Sequence, residues 1–173
     1  MYLVAIIDVY SRFALASRLS NTLDTKSCED MLIDALRHGK PDIINTDQGC
    51  QFTSKSWIEL VESNGILVSM DGRGRWADNI YIERFWRTIK HEHLRWHAFE
   101  SVNDLWNAIR EFIIIYNYRR LHQSLNYKTP AEVYGHSAMP SRPAGPTSST
   151  TLPFLGTSTD KSYNNPIFVQ TSK

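Results

Sequence analysis

The 173-residue chain is poor in cysteine: Cys28 and Cys50 are the only two, and they form no CxxC pair. That excludes a disulfide scaffold and a cysteine-based zinc framework, and it suits a reducing compartment such as the cytoplasm. Charge of one sign is also lacking. The net charge of +1 excludes a uniformly basic nucleic-acid binder, so any DNA contact must come from local clustering. No apolar run approaches the roughly 18–20 residues that span a bilayer. The longest, YLVAII and FIIIY, are far shorter, and the N-terminus shows no basic segment leading into an apolar stretch with a cleavage site. Neither a membrane partner nor secretion is expected, and no internal repeat is visible. What is present is 42% hydrophobic and 12% aromatic residues, enough for one domain with a core.

The order of elements is legible from periodicity. YLVAIID and FALASRL flank a short turn and read as an antiparallel hairpin. Met31, Leu32, Ala35 and Leu36 share a helical face, and Gly39 and Pro41 end that helix. DIINTD is a short strand. SKSWIELVESNG is an amphipathic helix ended by Gly65, and ILVSM is a further strand. A glycine-rich loop, DGRGRWADN, leads into two helical stretches, NIYIERFWRTIKHEHLRW and SVNDLWNAIREFIIIYNYRRLH. The implied class is α/β with a mixed sheet flanked by helices. From about His136 the composition turns to Ser, Thr, Pro and Gly without a period. Residues 1–135 are therefore expected to form the domain, and 136–173 a disordered tail in which a few apolar residues allow local docking.

The segment NTDQGCQFTS (45–54) places a carboxylate at the end of an apolar strand. Read alone it is a turn, with Asp47 as the turn residue, Gly49 free to adopt a positive φ and Ser54 capping the next helix. Glu83 is a second carboxylate, with 35 residues between it and Asp47. Glu83, Arg87 and Lys90 recur at i, i+4 and i+7, so one helical face carries an acid and two cations. The bland reading is a solvated salt-bridge face. The chemical one is that Asp47 and Glu83 hold a divalent metal while Arg87 and Lys90 take backbone phosphates.

Three motifs in order, NTDQGCQFTS, DNIYIERFWRTIKHE and YNYRRLHQSLNYKTPAEVY, resemble the integrase core of bacterial insertion-sequence transposases, a group similar to retroviral integrases. The resemblance covers about residues 1–135. It implies a ribonuclease H-like fold and metal-dependent cleavage and strand transfer of transposon DNA. It further implies Mg²⁺, with Mn²⁺ able to substitute, and action as an oligomer with full-length transposase. Asp47 resembles the second acid of the family's Asp-Asp-Glu triad and Glu83 the third. Lys90 matches the basic residue two turns after that Glu. Asp78 and Asn79 match the family's Asp-Asn pair, for which helix capping is the simpler role.

The chain also departs from the pattern. The family's first acid lies on a strand upstream of YLVAIIDVYSR, and the expectation is that this central strand and its acid are missing. That leaves an N-terminally truncated core, poorly stable and inactive alone, with two bare strand edges. Asp8 invites promotion to the vacant role, against the plainer reading of a turn carboxylate paired with Arg12. Leu121 stands where the family usually has Pro. One rival reading is an inactive remnant that binds DNA or interferes with a full-length transposase. Another is a zinc hydrolase using His91, His93 and His97. Trp86, Trp96, Trp106 and Tyr116 are expected in the core. Arg119, Arg120 and His122 could meet DNA or a second subunit.

Overall fold

The computed structural model describes residues 1–70, 80–135 and 167–172. Strand β1 (Tyr2–Asp8) and β2 (Ala14–Ser20) form the expected hairpin, in antiparallel register with a bulge between Ile6 and Ile7. Helix α1 (Thr25–Leu36) follows, capped by the Asp24 carboxylate, which accepts the Ser27 N–H. Next come β3 (Ile43–Thr46), α2 (Lys55–Ser63) and β4 (Leu67–Met70). Ser54 caps α2 by accepting the Trp57 N–H, as the sequence implied. Gly65 then takes φ 65°, a left-handed turn that ends the helix.

Helix α3 (Ile80–Thr88) runs into a π turn (Ile89–His93) and a 3₁₀ turn (Leu94–Trp96), rather than continuing as α-helix through Trp96. Helix α4 (Val102–Tyr118) is capped by Ser101, and α5 (Pro130–Tyr134) opens with a Thr129–Glu132 capping box.

The expectation of a bare central slot is corrected by β5 (Ile167–Ser172). The sheet order is β2-β1-β5-β3-β4. Strand β5 runs antiparallel to β1, with Ile6 opposite Val169, and parallel to β3, with Thr46 opposite Val169. Six residues from the stretch expected to be disordered thus pair with β1, and three of them, 167–169, pair with β3 as well. The physical reason is local composition: IFVQTS is rich in β-branched and aromatic residues, unlike the Pro- and Gly-bearing stretch before it.

Both faces of the sheet are covered, which explains why β1 reads as a continuous apolar run rather than an alternating one. On one face, Val4, Ile6, Ile44 and Val169 pack with Met31, Leu32, Trp57 and Val61 of α1 and α2. On the other, Leu3, Ala5 and Ile7 pack with Ile82, Phe85 and Ile89 and with Ile109 and Ile113 of α4. Buried Asn117 fastens α4 to the start of β2: its amide N–H donates to the Ala14 carbonyl at 3.0 Å, and its Oδ1 accepts the Ala14 N–H at 2.9 Å. Trp86, Trp106 and Tyr116 are in the core. Trp96 is not; it is exposed, and its indole N–H donates to the His91 carbonyl at 2.9 Å.

Candidate active site and an adjoining arginine cleft

Asp47 follows directly on β3, at the carboxyl end of a strand, where α/β sheets present ligand-binding groups. Its Oδ1 accepts the Gly49 N–H at 2.9 Å, an Asx turn. Burial raises the Asp47 carboxyl above the usual carboxylate range, opposed by that N–H. A carboxylate held in this way gains from a cation beside it. Gly49 is needed for space rather than for a positive φ. A Cβ there would come within 2.4 Å of Gln51 Nε2 and 2.9 Å of Asp47 Oδ1. Gln51 and Phe52 are buried, so this turn is packed from beneath.

Glu83 is exposed in the first turn of α3, where the helix dipole favours an acid. Arg87 is exposed one turn on. Lys90 is exposed too, but it stands in the π turn, which alters its bearing from that of an ideal i+7 position. Glu83 does not figure among the influences on Asp47. Among the described residues no group of three or more His, Cys, Asp or Glu is gathered for a metal. The donor chemistry nonetheless fits a hard divalent cation, since both acids supply oxygen and Asp47 has one oxygen without a hydrogen-bond partner among the described residues. Asp78 and Asn79 lie outside the described residues.

Asp8 is the turn carboxylate of the plainer reading. It is buried and accepts both the Ser11 N–H, at 2.7 Å, and the Ser11 hydroxyl. Burial, the leading influence, raises its carboxyl, opposed by the Ser11 hydrogen bonds and the Arg12 charge. The three histidines form no zinc site with one another. His97 Nδ1 is bonded to the His93 carbonyl at 2.7 Å. On the opposite face of the sheet, burial pushes the Cys28 thiol up to about 12, leaving it inert.

Sequence reasoning missed how the hairpin turn meets α3. Arg12 adopts φ 65°, which costs an L-residue about 1–2 kcal/mol. The turn imposes it, through Arg12 N–H to the Asp8 carbonyl at 2.9 Å and Asp8 N–H to the Phe13 carbonyl at 2.9 Å. The Arg12 guanidinium lies 3.3 Å from the centre of the Tyr81 ring, a cation–π contact. Beside it opens a cleft of about 270 Å³ lined by Arg84, Arg87, Arg120 and His122, among others. Arg120 makes a two-pronged ion pair with Glu92. His122 is pushed down to about 4 by burial first, then by Arg120 and Arg12, and is therefore neutral at pH 7. The sequence held one signal for this cleft: Tyr81, Arg84, Thr88 and His91 recur at helical spacing beside the Glu83 stripe.

A five-stranded mixed sheet in this order, with helices on both faces, is a ribonuclease H-like fold. The chain belongs to the integrase-core family: two family models, each described as an integrase core domain, match residues 1–75 and 64–130. It is 29% identical over 143 residues to the putative transposase InsK for insertion sequence element IS150 of Escherichia coli, covering 81% of this chain and 50% of that protein. It is 32% identical over 136 residues to the transposase for insertion sequence element IS904 of Lactococcus lactis, covering 76% and 54%. The chain thus spans about half the length of these relatives.

Among solved structures it is similar to the HTLV-2 integrase catalytic core domain in complex with magnesium, in dimeric form. The TM-score is 0.60 at 21% identity, covering 77% of this chain and 83% of that one. It is also similar to a chain of the simian T-cell lymphotropic virus intasome in complex with a PP2A regulatory subunit, with a TM-score of 0.64 at 19% identity, covering 85% and 54%. Among the described residues no helix is long and apolar enough to cross a membrane.

Proposed function

We propose that this chain carries out the DNA chemistry of transposition: phosphodiester cleavage at a transposon end and transfer of the freed strand to target DNA. The observation that carries the reading is the position of Asp47. It is the carboxylate directly after β3, partly withdrawn from water, in a domain that matches the integrase core from residue 1 to 130.

Asp47 and Glu83 are the proposed metal ligands and catalytic carboxylates, and Mg²⁺ or Mn²⁺ is the ion that their oxygen donors suit. Once bound, the ion supplies activation of the attacking oxygen and stabilisation of the leaving one. The chain's own residues do the rest. Asp47 is oriented by the Gly49 N–H, Glu83 projects from a rigid helix turn, and Arg87 and Lys90 hold the DNA backbone by charge without reading its sequence. DNA and further transposase copies are the proposed partners, in the cytoplasm. The test is Mn²⁺-dependent nicking of a supercoiled plasmid or a labelled transposon-end duplex by the chain and by its Asp47→Asn and Glu83→Gln variants.

A second reading, an inactive remnant that binds DNA and interferes with a full-length transposase, is favoured by one observation. Among the described residues no group of three or more His, Cys, Asp or Glu is gathered for a metal. Duplex binding without nicking, together with inhibition of an active transposase in trans, would select it.

A further inference from the structure

We propose that the cleft between the β1–β2 turn, α3 and the segment 119–124 is a phosphate-binding site built on Arg12, Arg84, Arg87 and Arg120. It deepens the reading above and rests on it only for the origin of the phosphate. A row of arginines on a helix is ordinarily a solvated face. Three observations separate this cleft from that case.

The first is unmet hydrogen bonding. Arg12 Nη1 and His122 Nε2 are both buried and have no hydrogen-bond partner among the described residues. Buried polar groups are nearly always satisfied, so orphaned ones lining a cleft point to a partner that enters it. The second is charge. Among the described residues four guanidiniums line the cleft, and the one carboxylate in that lining, Glu92, is already engaged with Arg120. Arg120 and Arg12 both oppose a proton on His122, so the cleft acts as a concentrated positive field. An anion with several acceptor oxygens relieves that field and fits the planar fork of arginine.

The third observation is backbone conformation. Arg12 holds a left-handed φ that glycine would adopt more readily, yet the position carries the longest cationic side chain. Residues held in such conformations cluster at ligand sites, where the position of a side chain matters more than local ease. The Tyr81 ring fixes the guanidinium from one side, so the arginine is positioned before any ligand arrives. The cleft, at about 270 Å³, suits a phosphate group with its immediate neighbours rather than a large cofactor. Its α3 side adjoins the turn bearing Glu83, and Arg87 serves both surfaces. A DNA strand crossing α3 would therefore set one phosphate near Glu83 and another in the cleft. A free phosphate or a nucleotide offers the same chemistry.

Two probes distinguish these sources: inorganic phosphate by calorimetry, and a fluorescent 20-mer duplex by anisotropy over a salt series. The variants are Arg12→Gly, which suits the left-handed backbone and keeps the turn, and Arg120→Gln, each checked for an unchanged melting temperature. If the phosphate belongs to DNA, each variant weakens duplex binding about tenfold and lowers the salt slope by about one. If it is free, inorganic phosphate binding is lost in both variants while duplex binding is kept. Folded variants that bind both probes as the parent chain does would overturn the proposal. Weakened duplex binding in a chain that never nicks DNA would retain the cleft and refute only the catalytic reading.

Discussion

The filling of the central slot by β5 makes Val169 the most informative single residue for stability. It is 1% exposed and packs in the cluster that holds Val4, Ile6 and Ile44. Val169→Ala removes two methyl groups, each worth about 0.8 kcal/mol of burial. A partly relaxed cavity adds to that, giving a loss of about 2–3 kcal/mol. For a domain of this size the loss lowers Tm by about 5–12 °C. Val102, 57% exposed at the start of α4, supplies the control, since Val102→Ala should stay within about 0.5 kcal/mol of the parent. The assay is thermal melting followed by circular dichroism at constant pH. A Val169→Ala chain that melts together with Val102→Ala would refute the placement of β5 between β1 and β3. A separate increase in dye-detected apolar surface is expected for Val169→Asp, because a carboxylate cannot remain in that cluster unpaired.

Stability should rise with pH between about 4 and 6.5, because the unfolded chain protonates His122 near its ordinary 6.5 while the folded chain does so only near 4. The unfolded state binds more protons across that window, so up to about 3 kcal/mol is lost as pH falls through it, and urea midpoints of His122→Gln should show a flatter dependence. Gly49→Ala should destabilise by about 1–3 kcal/mol and displace the Asp47 carboxylate, because the new methyl meets Gln51 and Asp47 Oδ1; a parent-like urea midpoint would contradict this.

Much of this architecture is readable in the chain because local chemistry and global fold agree there. The β1–β2 hairpin, the Ser54 and Ser101 caps, Gly65 and the two helical faces follow from period and capping alone. Helix α3 was legible as a helix, but not the π turn at Ile89–His93, which reflects packing of Ile89 and Leu94 against the core rather than propensity. Strand β5 was hidden for a different reason. A six-residue strand after a long low-complexity stretch has no local signal beyond β-branched residues, and its place depends on the unmet ladder groups of β1 and β3. Asp47 and Glu83 could be singled out because a motif and a spacing accompany them. The arginine cleft carried only the helical spacing around Arg84 as a signal, because Arg12 and Arg120 join it through tertiary contacts. Asp8 shows the limit from the other side: an acid ending an apolar strand looks catalytic in sequence, while in the fold it is buried and its Oδ2 accepts both the N–H and the hydroxyl of Ser11.

The decisive assay for the roles of Asp47 and Glu83 is Mn²⁺-dependent nicking of a transposon-end duplex by the parent chain, Asp47→Asn and Glu83→Gln, with duplex binding recorded for each. The parent chain should nick, both variants should lose at least about a hundredfold, and binding should stay within a few fold of the parent. Nicking that survives both substitutions, or no nicking by a folded, duplex-binding parent chain, would contradict those roles.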